Sequence, residues 1–253
     1  MKTIGIIGIS GGFGSLLRKQ LEGQGYVVVG CDENSSQEMP GIIERSDIVI
    51  FAVPIHATQD VIHAAIPHSH QKQLWMDVTS LKREPLKAML QSKAWVIGTH
   101  PLFRPGEGGF HGQTVAICPG RDDKNNSQQQ FTENLFQQLG AQTVLIDADR
   151  HDKAMSYIQQ LTHFALLTWG STLTDDEHLR DLSKLSTPVF EGVLSYLDNM
   201  LLQDPGLYFD IQKYNPYTME NIEHFIQHAH KLKNAIESND RETFNELFRT
   251  LRT

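Results

Sequence analysis

The chain opens with IGIIGISGGFGSLL, in which Gly8, Gly11 and Gly14 recur every third residue between an apolar run and an amphipathic one. Glycines at a strand-to-helix turn let backbone N–H groups and a helix N-terminus approach a pyrophosphate. A second apolar run follows and ends in Asp32. An acidic side chain there can bond an adenosine ribose 2′-hydroxyl and would repel a 2′-phosphate, so NAD is expected over NADP. The competing reading of the turn is a tight βα connection with no ligand. Farther on, His100 stands directly before Pro101 in GTHPLFRPGEGG. The proline restricts the backbone of His100 to an extended form and so fixes where its ring can point. A histidine held this way suits a general base, because its unperturbed pKa of about 6.5 lies near working pH; the alternative is a surface-loop histidine. Arg104 lies in the glycine- and proline-rich loop that follows, where most arginines are simply solvated. Ser80 and Lys82, in MDVTSLKREPL, are expected in the same crevice, with Ser80 either capping the next helix or bonding a catalytic group or the nicotinamide amide. VPIHATQDVI places Pro54 at the cofactor and His56 just past a strand's carboxyl end, as a ligand-facing residue or as a loop or cap histidine.

Short β-branched runs must position these residues. TIGIIG, YVVVGCD, DIVIFAVP, LWMDV, AWVIGT, TVAICP and TVLIDA read as strands. Helical periodicity covers 13–22, 58–65, 85–90 and 128–139 between them. This βα alternation predicts an α/β, Rossmann-type doubly wound, mostly parallel sheet. After Asp147 the patterning is helical, so a dinucleotide-binding domain over 1–149 and a helical domain over 150–253 are expected. The stretch HDKAMSYIQQLTHFALL reads as a helix with Met155, Ile158, Ala165 and Leu166 on its inward face. Gln159 and Thr162 fall on or beside that face, and His151 precedes it by a turn. Such polar interruptions belong either to core groups with satisfied bonds or to a helix lining a polar pocket.

Composition narrows the function classes. A net charge of −8 leaves no basic footprint for nucleic acid. An anionic small-molecule substrate would have to be held by a few local cations. Two cysteines, Cys31 and Cys118, cannot build a disulfide framework. The opening residues carry no charged leader, and no apolar run nears membrane-spanning length, so a cytoplasmic protein off the membrane is expected. No H-E-x-x-H or paired-cysteine spacing suggests a metal, and the 12 histidines are scattered. A short-chain reductase would need Tyr-x-x-x-Lys, but Tyr157 is followed at that distance by Leu161.

Taken in order, Gly8 to Gly14, VPIHATQDVI, MDVTSLKREPL, GTHPLFRPG, RHDKAMSYIQQLTHF, LSTPVFEGVL and QDPGLYFDI resemble the prephenate dehydrogenase family over essentially the whole chain. The likeness is to the dehydrogenase part of the bifunctional chorismate mutase–prephenate dehydrogenases, without the mutase part. It implies an amino-terminal cofactor domain, a helical domain that forms a homodimer, and NAD-dependent oxidative decarboxylation of prephenate in tyrosine formation. By the same resemblance His100 would accept the hydroxyl proton as hydride leaves, Ser80 would orient His100 and the nicotinamide, and His151 would serve the substrate side. His151, Gln159 and Thr162 are then expected to face a substrate cavity between the domains.

One departure concerns specificity. The residue before His163-Phe164 is ordinarily an arginine that pairs with a substrate carboxylate, and here it is Thr162. A hydroxyl cannot replace a bidentate arginine–carboxylate pair; the loss would cost on the order of 2–5 kcal/mol if nothing compensated. Either Arg104, at a position where the family commonly has glycine, supplies the cation, or the substrate is arogenate or another hydroxy acid. A rival of another class is a nucleotide-binding regulatory protein that has lost catalysis.

Overall fold

The computed structural model describes residues 2–106, 108–122, 124–174 and 185–251. Seven strands form one sheet: β1 (Thr3–Ile7), β2 (Val27–Cys31), β3 (Ile48–Phe51), β4 (Leu74–Asp77), β5 (Trp95–Pro101), β6 (Thr114–Arg121) and β7 (Gln142–Leu145). Their spatial order is β2-β1-β3-β4-β5-β6-β7. All neighbours are parallel except β5 and β6, which run antiparallel. Each strand lies where a β-branched run predicts it, and the mostly parallel, doubly wound sheet matches the expected class.

Helices cover both faces, which is why β3 and β4 are buried along their whole length. On one face Ile4, Ile6, Ile48, Ile50, Met76 and Ile97 pack with Leu17 and Leu21 of α1 (Gly12–Gly23) and Leu135 and Phe136 of α5 (Ser127–Gln138). Alternate residues on the other face, Ile7, Val49, Phe51, Trp75 and Val96, meet α2 (Met39–Glu44), α3 (Ile55–Ala65) and α4 (Arg83–Met89) through Ile42, Ile43, Ile62 and Met89. The period-two alternation of the strands thus builds two cores from one sheet. A 3₁₀ turn (Glu33–Glu38) and α2 are additions that periodicity does not reveal. The chain runs from β1 outward to β2 and then returns to β3 on the other side. The carboxyl ends of β1 and β3 therefore form a topological switch point, where open α/β sheets bind ligands.

After the sheet come α6 (Ala148–Met155), a π-helical segment (Ser156–Leu161), α7 (Thr162–Thr174), α8 (Pro188–Leu201), α9 (Pro205–Tyr214), α10 (Thr218–Glu237) and α11 (Arg241–Thr250). Two compact units result. One comprises 1–154 with 209–214, the other 155–208 with 215–253. The π-helical segment corrects the expected inward face. Ile158 is 66% exposed, whereas Ser156 and Gln160 are buried beside Met155. A π-turn closes over five residues instead of four and rotates everything after it, so a 3.6-residue stripe does not survive the segment. In the second unit, the Asn221 amide of α10 donates to Ser156 Oγ at 2.6 Å. Among the described residues, no helix is long and apolar enough to cross a membrane.

Candidate active site

The glycine turn is built at the carboxyl end of β1. Gly8 has φ +91°, and a Cβ there would lie 2.4 Å from the Ala52 carbonyl oxygen. A Cβ on Gly14 would stand 1.9 Å from the Gly8 carbonyl oxygen. Two of the three glycines are therefore required by close backbone approach. Gly11 caps α1 with no side chain over the helix end, so the first-turn N–H groups face outward without intrahelical acceptors. Asp32, just past β2, accepts the Ser10 N–H at 3.1 Å and draws the turn against the end of that strand. Phe103 packs edge-on against Phe13, with ring centroids 5.5 Å apart, and a Cβ on Gly12 would meet Pro105 at 3.0 Å. The loop after His100 is thereby pinned beside the start of α1. A backbone cradle at a helix N-terminus with a carboxylate at its side suits a dinucleotide's pyrophosphate and ribose.

His100, the penultimate residue of β5, stands at the same edge of the sheet and is 4% exposed. Its Nδ1 lies 3.0 Å from His151 Nε2, and His151 Nδ1 lies 2.8 Å from Asp152 Oδ1. Asp152 also accepts the backbone N–H of Lys82 on Oδ1 at 2.8 Å and that of Arg83 on Oδ2 at 2.9 Å. These bonds determine where the protons sit. A carboxylate only accepts, so His151 carries its proton on Nδ1 and, when neutral, accepts on Nε2. Opposite a neutral His151, His100 donates from Nδ1, which leaves its Nε2 with a free lone pair. Burial, then the neighbouring His151 and the Lys82 ammonium, hold the His100 pKa well below its usual value. The ring is neutral at neutral pH and is oriented as a proton acceptor.

The other expected residues fall in varied places. Lys82 does not reach outward: it is wholly buried, and its ammonium binds Asp77 Oδ2 and the Thr99 carbonyl. Ser80, half-buried after β4, makes no hydrogen bond among the described residues, and the α4 N-terminus is held by Asp152 instead. The Nδ1 partner of His100 is therefore His151. Pro54 is the N-cap of α3, and His56 in the first turn of that helix has its Nδ1 2.6 Å from Asp210 Oδ2. Arg104 is exposed on the loop beside α1. In the second unit Gln159 is half-buried, and Thr162 is exposed with its hydroxyl 3.5 Å from the Tyr157 carbonyl. His163, one turn beyond Gln159, has its pKa pushed down to about 4 by burial and sits edge-on to Tyr208 at 4.7 Å.

Two family models match the chain in tandem. Residues 21–145 match the nucleotide-binding domain of prephenate dehydrogenase, and residues 147–251 match its dimerization domain. This chain belongs to the prephenate dehydrogenase family. Among curated relatives, the probable arogenate/prephenate dehydrogenase of Methanocaldococcus jannaschii is 33% identical over 98% of this chain and 59% of its own length. The T-protein of Enterobacter agglomerans is 32% identical over 96% of the chain and 65% of its own length. The chain thus spans less than two thirds of the length of these relatives. Prephenate dehydrogenase of Aquifex aeolicus, solved with hydroxyphenyl propionate and NAD+, superposes with a TM-score of 0.78 at 17% identity, over 100% of this chain and 96% of that one.

Within this prephenate dehydrogenase fold, three acidic residues matter that motif reading passed over. Asp152 looks like an ordinary helix carboxylate in the sequence, yet it joins His151 to the start of α4. Asp77 closes β4 and takes the Lys82 ammonium, together with the Thr79 N–H at 3.1 Å. Asp210 of α9 engages both the His56 ring and its backbone N–H. A usable signal existed only for Asp77, an ionisable residue closing the otherwise apolar run LWMD.

Proposed function

We propose that the chain catalyses the NAD-dependent oxidative decarboxylation of prephenate to 4-hydroxyphenylpyruvate. NAD, when bound, accepts the hydride from the ring carbon that bears the hydroxyl. The α1 N-terminus and the glycine turn would hold its pyrophosphate, Asp32 its adenosine ribose, and Pro54 and Ser80 the nicotinamide end. His100 Nε2 would take the hydroxyl proton as the C–O bond becomes a carbonyl. Loss of the ring carboxylate as carbon dioxide then makes the ring aromatic, which drives the reaction forward. His151 holds His100 in the accepting tautomer. Substrate contacts are proposed for Gln159, Thr162, His56 and Arg104. The observation that carries this reading is the chain Asp152–His151–His100, which leaves an unprotonated imidazole nitrogen at the ligand-binding edge of the sheet.

Arogenate, the amino analogue of prephenate, is the second reading. Thr162 favours it, because no cation stands where the family pairs an arginine with a substrate carboxylate. We also propose a homodimer through the helical region, supported by the dimerization-domain match and by the exposure of Val189, Tyr196 and Leu202. Absorbance of NADH on mixing purified protein and NAD with prephenate, and separately with arogenate, tests the assignment. Faster turnover of prephenate supports the first reading and faster turnover of arogenate the second. No NADH from either, with NAD still bound, refutes both.

A further inference from the structure

Lys82 and Asp77 form an ion pair in which both side chains are 0% exposed. Such a pair is a poor stabiliser by default, because well-packed apolar residues often do as well or better. Its contacts suggest another use. The Lys82 ammonium donates at 2.6 Å to the carbonyl of Thr99, the residue before His100. The Lys82 backbone N–H donates at 2.8 Å to Asp152, whose same oxygen holds His151. One residue therefore grips the proton-accepting site from both sides: the strand end from which the His100 ring projects, and the carboxylate that sets the ring's tautomer.

We infer that Lys82, anchored by Asp77, is a positioning residue for His100 and not a substrate ligand. Asp77 fixes the ammonium, with the Thr79 hydroxyl 2.5 Å from the same carboxylate oxygen. A flexible lysine stem is thus converted into a strut between β4, β5 and the start of α4. The charged and titratable groups around His100 are His151 and Lys82, with Asp152 behind the first and Asp77 behind the second. The Lys82 cation disfavours a proton on His100, so removing it should make His100 more basic. This inference rests on the reading of His100 as the base.

The test uses the double variant Asp77→Asn/Lys82→Met, because Lys82→Met alone would strand a buried carboxylate and unfold the protein for that reason. Positioning predicts that kcat falls by about tenfold or more while KM stays within about twofold. It also predicts that the acidic limb of the rate profile, and the His100 midpoint in an NMR titration, move to higher pH. A raised KM with unchanged kcat would make Lys82 a substrate ligand and overturn the inference; so would unchanged kcat and an unmoved His100 titration. In the wild-type protein, trinitrobenzenesulfonate should label exposed Lys87 and spare Lys82, as read by peptide mass spectrometry; labelling of Lys82 in the folded, ligand-free protein would overturn the inference too. If wild type oxidises neither prephenate nor arogenate, the functional reading fails, while the labelling and the titration still decide the place of Lys82.

Discussion

Asp152→Asn probes the tautomer argument with the loss of a single charge. In the native site, Asp152 Oδ1 accepts from His151 Nδ1 and from the Lys82 N–H, and Oδ2 accepts from the Arg83 N–H. An amide can satisfy only one side of that arrangement. With its oxygen toward His151, the NH₂ confronts the Arg83 N–H and strands a backbone donor, at about 1–3 kcal/mol. With the NH₂ toward His151, the imidazole must accept on Nδ1 and donate from Nε2. His100 would then accept on Nδ1 and carry its proton on Nε2, which blocks proton abstraction. Replacing a charge-assisted bond by a neutral one costs about 1.5–3 kcal/mol, and every 1.36 kcal/mol is a factor of ten in rate. We therefore expect kcat to fall by roughly 10- to 150-fold, KM to stay within about threefold, and stability to drop by about 1–3 kcal/mol. NADH absorbance and urea unfolding measure these quantities. A folded Asp152→Asn protein with wild-type kcat would refute the proton assignment along the chain.

Three further outcomes follow from the geometry. Gly14→Ala should abolish NAD binding or folding, because its Cβ would stand 1.9 Å from the Gly8 carbonyl oxygen; isothermal titration with NAD reads this directly. Because burial lowers the His100 pKa, kcat/KM should hold its plateau as pH falls through about 6.5 and decline only at lower pH, whereas a limb centred on 6.5 would mean an ordinary, solvated ring. His163 titrates near 4 when folded and near 6.5 when unfolded. Between those values the unfolded chain binds a proton that the folded chain does not, so stability falls as pH drops. The loss is at most ~3 kcal/mol and nearer ~2 for a half-buried ring, and chemical unfolding from pH 7 to pH 4 should show a shallower fall in His163→Gln.

The sheet was legible because its signals are local. Each strand is a short apolar run, and the glycine turn lies between two elements that periodicity identifies. The extended backbone at His100 was legible for a similar reason, since Pro101 follows it in sequence. The helical stretch from His151 to Leu167 was not, because its inward face was inferred from a period of 3.6 and the π-helical segment at Ser156–Leu161 breaks that period. The inward course of Lys82 is not legible, because spacing puts it after β4 but cannot say that Asp77, five residues earlier, binds its ammonium. Asp152 reaches Lys82 across 70 residues and Asp210 reaches His56 across 154, and no pattern along the chain encodes such pairs.

The interposed His151 resolves a conflict in the requirements on His100. A carboxylate bonded directly to a catalytic imidazole favours its protonated form, and a ring already protonated cannot accept a proton. Burial has the opposite effect: it keeps the ring neutral but makes its conjugate acid costly. In this site the anion stands one imidazole away. At rest His100 stays unprotonated, in keeping with its lowered pKa. In the proposed reaction, once Nε2 has taken the hydroxyl proton, the positive charge can be shared along the bond from His100 Nδ1 to His151 Nε2, and Asp152 is bonded to the far side of that second ring. The carboxylate then stabilises charge that exists only after proton transfer, and stabilisation confined to that part of the reaction accelerates it. His151→Phe, which keeps a ring but breaks the chain, should therefore lose rate without a matching loss of substrate affinity.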